Sequence, residues 1–413
     1  MPHGSTLWRR TNDRKDASMS ASPARASTIG ALPAPSELRD LAAASYDDPV
    51  LSIYARTDPR DAPNASPPYA WEIELRNSLR DIAAAVEDDR AARERFAALH
   101  RRVEQDIANL DGTHRGRSFV WLLTGDGDDI LRIEGLQIPV NRTVAVLDDR
   151  PYLAPLADLV DRATPTGVIL VGSEDLRLVE WRNGRLDLSE PLVFELELGD
   201  WREYRSAAHA NPARGQTSVS HSEHYDARVD KQRSKLFERG AHAAAERAHE
   251  LGWQRVVIVG EGQRLAEFRH ALPTALATRV VDAIDHNTSH DGAADLDSLL
   301  GPRLEREWLG RTSKLVSEIH EHARAGGAGA LGADEVLGAL AEGRVAHLVV
   351  DPAHDFAGAH SAFEHAGIEV PTGLYAERAI EAAIATGAQV TAVLESDCPA
   401  LAEAGGMAAL LRY

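Results

Sequence analysis

Five cations, Arg228, Lys231, Arg233, Lys235 and Arg239, crowd one short stretch of this 413-residue chain. Side chains of this type at this density neutralise phosphates along a nucleic-acid backbone. The surrounding residues 201–240 hold eight Lys/Arg against five Asp/Glu, about +3, in a chain whose net charge is −19. A basic island inside an acidic protein is the footprint of a phosphate-bearing partner. The plain alternative is a solvated helix face. Just upstream runs the loop Pro212-Ala213-Arg214-Gly215-Gln216, whose terminal glutamine has no evident structural role.

The elements that must hold these residues follow from periodicity. Val229, Leu236, Gly240, Ala244, Ala248 and Leu251 recur at helical spacing and mark a buried stripe. Arg228, Lys231, Lys235 and Arg239 then fall on the solvent side. Before the loop, residues 167–171, 176–181 and 186–188 read as a strand meander, with Asn183-Gly184 as a hairpin turn. Residues 192–198 alternate as a further strand. After the helix, the β-branched run 255–259 reads as a buried parallel strand, followed by a helix over 264–271 and a strand from Val280.

Two other motifs invite chemistry and are better read as structure. Gly260-Glu261-Gly262 resembles a dinucleotide fingerprint, but position 265 is Leu where the third glycine belongs, which favours a tight βα turn. Asp285-His286 and His290-Asp291 sit in a polar loop without regular ligand spacing, which favours a solvated loop over a metal site. No metal and no cofactor is expected.

Composition sets the frame. An apolar fraction of 44% is that of an ordinary globular chain, and 413 residues should hold about two to four domains. A single cysteine, Cys398, excludes a disulfide framework and a cysteine-based zinc site, and fits a reducing compartment. The longest apolar runs are too short to span a bilayer. The first 36 residues, rich in Ser, Ala, Pro and Arg, lack the apolar core of a secretory signal. A disordered tail and a cytoplasmic location are therefore expected.

Along the rest of the chain, Ser36 is the candidate N-cap of a first helix. Strands are expected at 50–54, 118–123, 129–133 and 143–147. Two helices lie between the first and second of these, with Ile73, Leu79, Ile82 and Val86 on one apolar face and Phe96, Leu99, Val103 and Ile107 on the other. A helix over 155–163 closes this part. A long helix over 302–325 leads to a glycine-rich hinge at 326–332 and an alternation of helix and strand to the C-terminus. Residues 331–413 carry three Arg, no Lys and twelve Asp/Glu, a surface that repels RNA and suits a protein partner.

Three stretches of this chain resemble the bacterial branch of the archaeo-eukaryotic class-one release factor family, which includes the ribosome-rescue protein Pelota. The first is Gly167-Val168-Ile169-Leu170-Val171-Gly172 with the following strand, the Arg214-Gly215-Gln216 loop and its basic helix. It is similar to the start of the family's middle domain, whose Gly-Gly-Gln loop reaches the peptidyl transferase centre. The second is Leu331-Gly332-Ala333-Asp334-Glu335-Val336-Leu337 through Gly343-Arg344-Val345, similar to the opening of the C-terminal domain. The third, Gly405-Gly406-Met407-Ala408-Ala409-Leu410-Leu411-Arg412-Tyr413, is similar to that domain's closing strand. The order and spacing hold from about residue 140 to the end.

The resemblance implies an α/β fold of three domains. After the tail over 1–36 come a mixed αβ N-terminal domain over 37–165, a release-factor-like middle domain over 166–290 with an exposed loop at 211–220, and a small αβα partner-binding domain over 291–413. It implies that Gln216 orients the water attacking a peptidyl-tRNA ester and that Gly215 supplies backbone freedom beside it. Arg214, Arg228, Lys231, Arg233, Lys235 and Arg239 would contact RNA. Two departures matter. Arg214 stands where the family loop has its first glycine, and a left-handed conformation there would cost roughly 1–2 kcal/mol. No counterpart of the Asn-Ile-Lys-Ser stop-codon motif is present in the first domain. The implied function is ribosome binding with peptidyl-tRNA release or rescue, not codon reading, with a translational GTPase as partner of the acidic C-terminal domain. The rival readings are a non-enzymatic hibernation or A-site occupancy factor and a tRNA-end nuclease.

Overall fold

The computed structural model describes residues 28–29, 31–110, 116–196, 218–288, 291–370 and 373–413. Its fold is mixed α/β, built on three sheets. Among the described residues no helix is long and apolar enough to cross a membrane.

The first sheet contains β1 (Thr28–Ile29), β2 (Val50–Arg56), β3 (Ser118–Thr124), β4 (Asp128–Leu136) and β5 (Val144–Asp148), in the order β1-β4-β3-β2-β5. Period-two alternation puts Leu51, Ile53 and Ala55 on one face with Phe119, Trp121 and Leu123. That face is covered by α2 (Ala70–Ala85) and α3 (Arg90–Asn109), which follow a short α1 (Pro35–Ala43). On α3 the expected Phe96, Leu99 and Val103 are buried, and Ile107 packs beside them. On α2 Leu79, Ile82 and Val86 of the expected face pack on the sheet, but Ile73 does not. Trp71, Leu75 and Leu79, four residues apart, are buried, whereas Ile73 is 46% exposed. Ile73, six positions before Leu79, falls about 120° away around the helix, whereas Trp71 falls about 80° away and closer to the buried Leu75.

Two further expectations for this region change. The helix starts at Pro35 after Ala34, whose N–H donates to the Glu37 carboxylate, so Ser36 is not the cap. Order also begins before residue 36, since Thr28 and Ile29 pair in parallel with Ile133 and Glu134.

The second sheet follows α4 (Ala154–Arg162). It contains β6 (Thr166–Val171), β7 (Asp175–Arg182) and β8 (Arg185–Glu195) as an antiparallel meander. Asn183 and Gly184 turn between β7 and β8 with φ of 51° and 84°, the paired positive values that a two-residue hairpin requires. Residues 197–198 lie outside the described residues; over the described ones, the expected strands 186–188 and 192–198 join into one edge strand, β8, that ends at Glu195. Its register shifts opposite Leu178–Glu180, and the intervening Pro191 sits where no ladder donor is needed.

The chain then forms α5 (Ser218–Glu250), β9 (Arg255–Gly260), α6 (Gly262–Ala271), α7 (Thr274–Ala277), β10 (Val280–Asp285) and the long α8 (Ala293–Arg324). Strand order is β10-β9-β6-β7-β8, with β6, β9 and β10 parallel. Residues 255–260 are buried throughout, as a central parallel strand must be. One face packs on α5, α6 and α7, and the other on Leu296, Leu300 and Leu304 of α8.

The third sheet has the order β11-β14-β12-β13, from β11 (Gly329–Leu331), β12 (Val345–Val350), β13 (Gln389–Ala392) and β14 (Met407–Leu411). The stretch expected as a glycine hinge thus contains β11, which pairs antiparallel with β14. Between these strands run α9 (Gly332–Ala341), α10 (His360–His365), α11 (Tyr375–Ala385) and α12 (Pro399–Glu403).

The chain groups into two compact units, residues 163–307 and residues 1–162 together with 308–413. The second unit is held by long-range polar contacts. Trp308 Nε1 donates to Asp161 at 2.7 Å, and Thr391 Oγ1 donates to the same carboxylate oxygen at 3.0 Å. Arg378, 4% exposed, donates to Glu381 at 2.8 Å and to Asp148 at 2.6 Å.

Candidate nucleic-acid interface

The basic helix α5 is built in two halves. Its C-terminal half carries Leu236, Phe237, Ala241, Ala244 and Ala248 into the core against Ile169, Leu176 and Leu178. Gly240 lets the helix approach closely, since a Cβ there would meet Leu176 Cδ2 at 2.8 Å. The expected stripe is present from Leu236 onward, widened by Phe237 and Ala241, whereas Val229 is only partly buried and lies outside the core. From residue 227 to 235 the helix buries no side chain and presents its side chains to solvent.

Each helical residue turns by about 100°, so Arg228, Lys231, Lys235 and Arg239 fall within an arc of about 80°. All four are exposed. The row they form is about 16 Å long at 1.5 Å per residue. Arg233 lies on a different side of the helix. It donates to Glu267 of α6 at 3.2 Å and is paired with Asp230 one turn back. The five cations named from the sequence thus divide into a solvent-facing row of four and one arginine that ties α5 to α6.

Arg214, Gly215 and Gln216 lie outside the described residues. The points from which their loop leaves and returns are described. Glu195 at the end of β8 pairs with Asp175, and Leu196 N–H donates to Glu174 O at 2.7 Å. Both belong beside the carboxyl end of β6. The return point is Ser218, the first residue of α5.

At the same ends of the parallel strands, the turn after β9 holds no free anion site at the start of α6. The Gly262 N–H donates to Asp285 Oδ1 at 3.0 Å, so a carboxylate already occupies the position a phosphate would take. The Gly-x-Gly is a βα turn. His286 Nε2 meets Asp291 Oδ2 at 2.7 Å, while His290 lies outside the described residues. Among the described residues no group of three or more His, Cys, Asp or Glu could hold a metal ion.

The sequence reading missed the buried carboxylate Glu377 and its partners. Glu377 accepts the N–H of Leu153 and of Ala154 at the start of α4. Burial pushes its pKa up to about 8, against the two backbone donors and with help from the Glu381 charge. No local signal marks it, because its partners lie 224 and 223 positions away.

Residues 151–298 match the family model of bacterial archaeo-eukaryotic release factor family 10. The Bacillus subtilis (strain 168) protein YocB is 24% identical over 214 residues, which cover 52% of this chain and 78% of that protein. Among solved structures, the archaeal translation termination factor aRF1 aligns over 92% of this chain and 99% of its own, at 17% identity and a TM-score of 0.23. Archaeal Pelota, from a model of its ribosome-bound form with ABCE1, aligns over 71% and 72%, at 15% identity and a TM-score of 0.39. The matched stretch runs from α4 to the first turns of α8 and includes the basic helix.

Proposed function

We propose that the protein binds the ribosome and acts in peptidyl-tRNA release or rescue of stalled ribosomes, without reading a codon. The observation that carries this reading is the exposed row Arg228, Lys231, Lys235 and Arg239, on the helix that begins directly after the Gly215-Gln216 loop. A row of cations on one face docks on phosphates, and a rigid helix then sets where the adjoining loop is delivered. In this reading Gln216 orients a water towards the ester carbonyl of peptidyl-tRNA, so that the rate comes from positioning, not titration. The acidic C-terminal segment, with twelve Asp/Glu against three Arg, supports a protein partner there, and a translational GTPase is the candidate.

One residue favours a second reading. Arg214 replaces a glycine of the family loop, and its bulk at the tRNA end suits a protein that occupies the ribosome without hydrolysis. Stalled ribosomes carrying labelled peptidyl-tRNA separate the two. Release that is lost in Gln216→Ala supports hydrolysis. Binding without release supports occupancy, shortened tRNA would indicate a nuclease, and absence of ribosome association overturns both proposed roles.

A further inference from the structure

Helix α5 is supported unevenly along its length. Its buried apolar contacts start at Leu236 and Phe237, whose ring meets Phe268 of α6 edge-on at 5.5 Å between centroids. Ahead of them, Val229, Gln232 and Arg233 are partly covered, at the i, i+3 and i+4 spacing of one helix face. Arg233 supplies a polar contact across to α6. Its Nε donates to Glu267 Oε2 at 3.2 Å, and the other Glu267 oxygen accepts from Gln263 Nε2 at 2.7 Å. The two charged side chains are 22% and 35% exposed, so solvent and salt screen them only in part.

Both sides of this contact are fixed. On α6, Leu265 and Phe268 are buried, and the Gly262 N–H at the helix start donates to Asp285 at the end of β10. On α5, Asp230 accepts from Nη2 of the same guanidinium, one turn before it. A guanidinium presents its donors in a rigid planar fork, so acceptors on two different helices constrain the angle between them.

The place of the pair along the helix gives it leverage. Arg233 lies about 4.5 Å ahead of Leu236 at 1.5 Å per residue, whereas Ser218, where α5 receives the Gly215-Gln216 loop, lies about 27 Å ahead. Play of about 1 Å at Arg233 therefore grows about sixfold at Ser218, and a misplacement of about 1 Å at a reacting centre already slows a reaction on the order of 100-fold. We infer that Arg233 and Glu267 are positioning residues. Their ion pair sets the angle of the leading half of α5, and with it the place to which the loop is delivered. The first statement concerns the fold alone; the second rests on the peptidyl-tRNA release reading above. Neither residue needs to touch RNA, because both act through α5.

Hydrogen exchange and peptide release on the full chain test this with Arg233→Ala, Glu267→Gln and the charge swap Arg233→Glu with Glu267→Arg. Without ribosomes, the amides of residues 228–235 should exchange at least about tenfold faster in each single variant and return to within about threefold of wild type in the swap. On stalled ribosomes carrying labelled peptidyl-tRNA, each single variant should lower the release rate at saturating protein at least about tenfold and leave the half-saturating concentration within about threefold. The swap should recover release. An arginine that contacts RNA would instead raise the half-saturating concentration. Unchanged exchange in the single variants, a swap that restores nothing, or faster exchange with an intact release rate overturns the inference. A wild-type chain that releases no peptide overturns the release reading, and the exchange rates with their swap control still decide whether the pair holds α5.

Discussion

The carboxylate of Glu377 accepts the N–H of Ala154 at 2.9 Å, capping α4 from a position 223 residues further along the chain. Helix starts are normally capped by the residue just before them. Here a long-range partner does so, tying the start of α4 to α11 at a buried point.

That carboxyl titrates at about 8 in the fold against an ordinary value of 4.5. Between these pH values the unfolded chain has lost the proton and the folded chain retains it. The group's contribution is therefore complete below 4.5 and lost as pH rises through 8. The slope reaches at most about 1.4 kcal/mol per pH unit. Glu377→Gln removes it. Urea unfolding from pH 5 to 9 should show the variant gaining on the wild type as pH rises, and parallel curves would refute the assignment.

Arg378 sits beside this cap and binds both Glu381 and Asp148. Arg378→Ala leaves buried Asp148 without this guanidinium and Glu381 with Arg150 alone, a loss of about 3–5 kcal/mol. Denaturant midpoints at pH 7 check this.

The division of the α5 cations has a direct consequence. Lys231→Ala and Lys235→Ala should each lower the salt slope of ribosome association by about one and change stability by less than about 0.5 kcal/mol. Arg233→Ala should do the opposite, loosening the α5–α6 contact while leaving the slope nearly intact. Cosedimentation at several salt concentrations, paired with thermal melts, distinguishes the two kinds of residue.

Gly167 supports the ring of Trp253, and a Cβ there would lie 2.0 Å from Cε3. The ring is buried and rigid, so Gly167→Ala must shift β6 or the tryptophan. A loss of about 1–3 kcal/mol is expected. Near-ultraviolet circular dichroism would report the displaced indole alongside the melt.

The sequence by itself determined what depends on backbone period and local turn chemistry. The alternation in β2 and β3, the buried run of β9, the Asn183-Gly184 hairpin and the stripe on α5 all follow from residues a few positions apart, where strand and helix geometry dictate neighbours. The cations of α5 and their solvent-facing row were legible for the same reason. Tertiary structure alone decided which equally plausible partner each side chain takes. It put Trp71 in place of Ile73 on the packed face of α2, merged two expected strands into β8, and paired Arg233 with Glu267. It also set Glu377 against the start of α4. These outcomes depend on surfaces brought together from distant parts of the chain, and burial in that shared interior, not local propensity, sets their energies.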